Sequence, residues 1–163
     1  MNRIRQQPEL SSLVLGLVAA AVVVVLASAP AALAEGAFFD KQVDVPRAER
    51  VPVEISFERA TLTFVESQND PREKDVKDAA DKDPDDKTWV LLRFHYRNDG
   101  YVKHRVKLRV VLVGEKGEAY AEEGRSSTLD AQQKDDTISF PIRVKTLDWP
   151  KAKALKIFAT FLE

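Results

Sequence analysis

Seven basic side chains fall on alternate positions of one stretch of this chain. Arg93, His95 and Arg97 precede the segment Asn98-Asp99-Gly100, and Lys103, Arg105, Lys107 and Arg109 follow it. Successive side chains of an extended strand point to opposite sides, so each of these two groups shares a face. The intervening positions are apolar, with Val90, Leu92, Phe94 and Tyr96 before the turn signal and Val106, Leu108, Val110 and Leu112 after it. That alternation predicts two half-buried strands, and Asp-Gly offers the positive φ of a tight reversal between them. Direct pairing about Gly100 sets Phe94 against Val106 and Leu92 against Leu108. It also sets Arg93 against Lys107, His95 against Arg105 and Arg97 against Lys103. Like charges directly opposite each other destabilise a sheet, so such a face calls for an anion: an anionic polymer, a lipid headgroup or an acidic protein. Two plainer readings compete with it. Either the acidic stretch holding Asp81, Asp83, Asp85 and Asp86 folds over the face, or the two strands belong to opposite sheets and the patch is split between two surfaces.

Other chemistries have less behind them. Asp81-Lys82-Asp83-Pro84-Asp85 resembles the start of a calcium loop, but no glycine follows Asp85 and Leu92 stands where a bidentate glutamate closes such a site. His95 and His104 are the only histidines, the chain has no cysteine, and no acidic partner sits at ligand spacing. A zinc or copper site is therefore not expected, and both histidines read as surface residues. Ser126-Ser127 lacks the Gly-x-Ser-x-Gly context of an activated nucleophile, and no pair of carboxylates stands apart from the many others. The chain reads as a non-enzyme without a cofactor. Among the aromatic residues that could line a sugar platform, Tyr96, on the apolar phase, and with it Trp89 are assigned to the core, which leaves Tyr101 as the exposed one. A net charge of −1 creates no global field favouring nucleic acid.

The elements that position these residues are mostly strands. Val51 to Phe57 and Thr61 to Glu66 alternate and are rich in β-branched residues. Residues 67–87 are charged and nearly devoid of bulky apolar side chains, which predicts a mobile loop. Gly114-Glu115-Lys116-Gly117 is a polar turn, Ala119 to Ala121 starts a further strand, and Gly124 to Ser127 reads as a loop. Asp136 to Lys145 turns Ile138, Phe140, Ile142 and Val144 inward, while Pro141 on the other face marks an edge strand or a bulge. Trp149-Pro150 makes a turn or a short helix. Ala154 to Leu162 is apolar on both faces, which suits a final strand in the middle of a sheet. Six to eight strands with closely spaced turns and no convincing long helix predict an all-β, antiparallel immunoglobulin-like sandwich over residues 51–163, preceded by an irregular leader at 35–50 that contains Phe38-Phe39.

The first 34 residues have a different composition. Arg3 and Arg5 precede an uncharged run over residues 10–34 that ends in Ala32-Leu33-Ala34 before Glu35. A basic start, an apolar middle and a small-x-small end is the pattern of a secretory signal peptide, with cleavage expected after Ala34. Ala27-Ser28-Ala29 has the same form, but Pro30 after it disfavours a cut there. The missing cysteine excludes a lipoprotein anchor, and Arg3-Ile4-Arg5 is not a twin-arginine pair. The competing expectation is an uncleaved anchor in the inner membrane, since a run of this length just crosses a bilayer about 30 Å thick. Either way the remainder is placed outside the cytoplasm, periplasmic or secreted, and touches the membrane only through residues 10–34.

Phe94-His95-Tyr96-Arg97-Asn98-Asp99-Gly100, the Gly114-Glu115-Lys116-Gly117 turn and the later Phe140 strand together resemble bacterial extracytoplasmic immunoglobulin-like modules of the FxLYD type. The resemblance spans Trp89 to Phe161, and Leu112-Val113-Gly114 stands where those modules carry Leu-Tyr-Asp. It implies a binding or scaffolding part of the cell envelope, with no catalytic residues to carry over. The expected partners are an envelope protein or an anionic polymer, engaged through Arg93, His95, Arg97, Lys103, Arg105, Lys107 and Arg109. The runner-up is a membrane-anchored accessory subunit of an envelope complex. The sequence sets no oligomeric state.

Overall fold

Alternation of apolar and polar residues decides which face each strand buries, and the structure follows it closely. The structure, a computed structural model, describes residues 37–47 and 49–162. Its elements in chain order are β1 (Phe38–Asp44), β2 (Val51–Phe57), β3 (Ala60–Gln68), α1 (Glu73–Lys82), β4 (Lys87–Asn98), β5 (His104–Val113), β6 (Ala119–Leu129), β7 (Gln133–Lys145) and β8 (Ala154–Leu162). Two antiparallel four-stranded sheets form an all-β sandwich, one in the order β1-β8-β5-β6 and the other β2-β3-β4-β7. They are called the β5 sheet and the β4 sheet below. Between them Leu92, Phe94, Val106, Phe140, Ile142, Leu155, Ile157 and Phe161 are fully buried. Phe94 meets Phe140 edge-on with ring centres 5.8 Å apart. With no cysteine in the chain, this apolar interior is the main source of stability.

Three expectations from the sequence hold. β8 lies inside its sheet, β7 lies at an edge, and the predicted inward row of β7 is buried. Other expectations are corrected. β4 and β5 do not pair with each other: β4 lies between β3 and β7, and β5 between β6 and β8. Gly100 has no positive φ, and the connection is a crossover between sheets rather than a tight hairpin turn. The leader is not irregular throughout, because Phe38–Asp44 pairs along its whole length with β8. Gly124 to Ser127 lies within the continuous strand β6 rather than in a loop. The segment 1–34 read as a signal peptide lies outside the described residues.

The charged stretch 67–87 is not a structureless loop either. β3 runs on to Gln68, and a ten-residue helix follows. Arg72 is the N-cap of α1 directly after Pro71, and its backbone N–H donates to Asp75 Oδ2 at 2.9 Å. Lys82 Nζ pairs one turn back with Asp78 at 3.2 Å. Ala79 is the only buried residue of the helix, so it needs little apolar surface to dock. Its alanines, lysines and glutamate are good helix formers, and that propensity was masked by the charge.

At the corner where the chain leaves β4, Asn98 is fully buried. Its Nδ2 donates to the carbonyls of Val102 at 2.8 Å and Leu129 at 3.3 Å, and its Oδ1 accepts from the Gly100 N–H at 3.0 Å. Tyr96 lies beside it, donating to Asp136 Oδ2 at 2.9 Å and accepting from the Asp130 N–H at 3.1 Å. Burial, together with the carboxylates of Asp136 and Asp130, pushes the Tyr96 hydroxyl up to about 12. Replacing Asn98 with alanine strands two carbonyls and one N–H in a site closed to water. The expected loss is about 2–3 kcal/mol of unfolding free energy, measured by urea denaturation against wild type, with the Asn98→Asp variant falling between the two.

Candidate binding surface

The outward row of β4 is Trp89, Leu91, Arg93, His95 and Arg97, and of its basic residues His95 is the one met by carboxylates of neighbouring strands, while Arg93 has no ion-pair partner among the described residues. β3 sets Glu66 opposite Arg93, while β7 sets Ser139 opposite Arg93 and Thr137 opposite His95. His95 is buried rather than at the surface, with 4% of its area exposed. Its Nδ1 lies 3.1 Å from Asp135 Oδ1 and its Nε2 lies 3.4 Å from Glu66 Oε1. Arg50 Nε donates to the other oxygen of Glu66 at 3.1 Å. Burial pushes the Glu66 carboxyl up, but the hydrogen bond from Arg50 and the imidazole of His95 beside it outweigh burial and hold the group below its usual range. Arg93 Nε is buried and makes no hydrogen bond. Arg97 lies 4.0 Å from Asp99, and Lys103, in the crossover, pairs with Asp130 at 2.7 Å. His104 is also buried, 3.5 Å from Glu58 and edge-on to Phe57. The expectation of two surface histidines is therefore overturned, because flanking carboxylates make their burial tolerable.

Arg105, Lys107 and Arg109 lie on the outside of the other sheet. Strand assignment thus divides the seven basic residues, with Arg93, His95 and Arg97 on one sheet, Arg105, Lys107 and Arg109 on the other and Lys103 in the crossover, and the like-charge pairs that direct pairing would create do not form. Arg109 is bound to Glu122 at 3.1 Å, and its guanidinium sits 4.2 Å from the centre of the Phe158 ring. Arg105 and Lys107 have no ion-pair partner among the described residues. Phe38 stacks on Phe158 with ring centres 6.3 Å apart and is 64% exposed. Lys107, Arg109, Phe158, Phe38, Ser126 and Gly124 line an open groove of about 420 Å³. Gly124 leaves the groove open beside Arg109, since a Cβ there would meet only the Leu108 carbonyl, at 3.9 Å.

The acidic stretch does not cover either surface. Asp85 accepts a hydrogen bond from Lys145 Nζ at 2.6 Å and Asp86 accepts one from Thr146 Oγ1 at 2.9 Å, so both hold the end of β7. Trp89 is not in the core but 55% exposed, with Arg143 6.0 Å from its ring centre. Tyr101 is 82% exposed, as its place in the crossover suggested. Among the described residues no group of three His, Asp or Glu side chains is placed to hold a metal ion. The sequence reading missed Phe38, Phe158 and Gly124 as parts of one groove. An aromatic residue on the outward phase of β8, opposite a row of cations, was the available signal.

Because the Glu66 carboxyl is held below its ordinary range, the folded state binds its proton less readily than the unfolded chain does. Its contribution to stability is present above the ordinary carboxylate range near 4.5 and is lost as pH falls through the depressed value. Glu66→Gln is expected to flatten this part of the acid limb of a stability-against-pH curve and to leave the curve above pH 7 parallel to that of wild type. No family model matches the chain, and a search of curated proteins returned no match.

Proposed function

We propose that this protein is an exported, non-enzymatic binding module of a bacterial cell envelope, an immunoglobulin-like sandwich that engages an anionic polymer or an acidic partner through the outer face of its β5 sheet. The observation that carries this reading is the row Arg105, Lys107 and Arg109, two members of which have no ion-pair partner among the described residues. Side chains two positions apart on a strand stand about 7 Å from each other, so the row presents three cations along about 14 Å. Lys156 adds a fourth on the same face, against Asp40, Asp44 and Glu122, and Glu122 is already paired with Arg109. Exposed cations cost little to keep hydrated, so the row contributes attraction without a large desolvation penalty. Phe38 and Phe158 beside it supply an apolar floor for the uncharged part of a ligand. Export is supported by the basic, apolar and small-residue pattern of residues 1–34.

The division of cations between two sheets provides the control. Companions are recovered from the native envelope after mild crosslinking with wild type, with Arg105→Glu/Lys107→Glu, and with Arg97→Glu on the opposite sheet. The expected outcome is recovery with wild type and with Arg97→Glu, and at least roughly tenfold less with the double variant. Recovery should also fall as salt is raised. Equal recovery from all three proteins, each confirmed folded by circular dichroism, would remove the β5 row as the binding surface.

A further inference from the structure

The four edge strands are not equally protected. In the β4 sheet, β2 is broken by Pro52, by Glu54 at φ 50° and by a register shift between Pro52 and Ile55. β7 carries Pro141 in its middle, which removes a backbone donor. In the β5 sheet, β6 is eleven residues long, has no proline, and pairs only with β5 among the described residues. Its register shift is confined to the end beside Val113. Alternate N–H and C=O groups of β6 therefore point away from β5 with no strand to receive them, and an edge in that condition is a template for another strand.

Two further observations concern Gly124, in the middle of this edge. A glycine weakens a strand interior and commonly marks a place where another backbone approaches closely. The protein's own packing does not call for one here, since a Cβ would meet only the Leu108 carbonyl, at 3.9 Å. The charges around it are self-complementary. In an antiparallel pair related by a two-fold axis, residues at equal distances from the axis lie opposite each other. An axis at Gly124 sets Glu123 of each copy against Arg125 of the other and Glu122 against Ser126. An axis at Glu122, Glu123 or Arg125 opposes identical charges, and one at Ser126 pairs no charges. On β1, the other edge of this sheet, axes at Asp40 and Lys41 oppose identical charges and one at Gln42 sets Asp40 against Asp44.

We infer that this protein forms a two-fold dimer by antiparallel pairing of β6 with β6 of a second copy, centred on Gly124. The two β5 sheets become one sheet of eight strands, β1-β8-β5-β6-β6-β5-β8-β1. Glu123 has no ion-pair partner among the described residues, and Arg125 makes only a 3.4 Å hydrogen bond to the Ser139 carbonyl, so both are available to the partner. The two β5 cation rows lie three strand spacings apart, about 14 Å. That exceeds the screening length of about 8 Å at physiological salt, so the rows do not oppose assembly.

The test uses the full-length gene product, purified as its host processes it, in sedimentation equilibrium over a range of concentrations. Wild type is expected to dimerise. Glu123→Arg and Arg125→Glu each turn two attractive pairs into two repulsive ones and should weaken the dimer roughly tenfold or more. The double exchange Glu123→Arg/Arg125→Glu should restore it. Because the chain has no cysteine, a single introduced thiol gives a second readout. Gly124→Cys should form a disulfide-linked dimer on mild oxidation, and Thr128→Cys, far from the axis, should not. A monomeric wild type, a dimer indifferent to both single reversals, a double exchange that fails to recover, or equal crosslinking at both cysteines would each overturn the proposal.

Discussion

The buried amide of Asn98 meets the requirement on which the rest of the fold depends: the chain must pass from one sheet to the other without leaving backbone polar groups unpaired. An irregular connection inside a sandwich costs about 1–3 kcal/mol for each such group that goes unsatisfied. One side chain answers three of them here, joining the crossover to the end of β6 through the Leu129 carbonyl. The neighbouring turns close on the same corner, with the Asp99 N–H donating to the Arg59 carbonyl and the Gln132 N–H to the Gly100 carbonyl. With the corner held, the phase of β4 and β5 is set. A one-residue slip in either would turn its apolar row outward and its charges into the core.

That phase explains both what was legible in the sequence and what was not. The apolar rows of β4, β5, β7 and β8 could be read because alternation depends only on which residues are buried. Pairing partners could not be read, since Asn-Asp-Gly satisfies the local signature of a tight hairpin equally well. The five residues between Asn98 and His104 fit a crossing between sheets, and the hydrogen bond from Asn98 to the Leu129 carbonyl reaches a strand distant in sequence. α1 was hidden because its formation rests on propensity and end contacts, with Ala79 alone buried. β6 was hidden in part because Gly124, Arg125, Ser126 and Ser127 favour loops, while a neighbouring ladder overrides that preference. The histidines were misplaced because Glu66, Asp135 and Glu58 come to them from other strands or turns.

The electrostatics follow from the same division of strands. Seven basic side chains drawn onto one hairpin would crowd across the ladder, whereas the sandwich brings carboxylates from β3 and β7 to His95 of the β4 group. The β5 group receives only Glu122 and an aromatic floor. The β4 surface is therefore compensated at His95 and, more loosely, at Arg97, and the β5 surface keeps Arg105 and Lys107 for an external partner. The site was thus half legible: the residue types were visible, but which of them remain free depends on sheet assignment.

The ladder between β1 and β8 has a mechanical consequence. These strands are antiparallel, and their register brings Phe38 opposite Thr160 and Asp44 opposite Ala154. The start of the first strand and the end of the last therefore leave the sandwich at the same pole. A pull that separates those two ends loads the hydrogen bonds one after another, beginning beside Phe38, instead of shearing all of them together. β1 would peel away while the other seven strands keep their ladders, and the domain would yield to tension at that seam first.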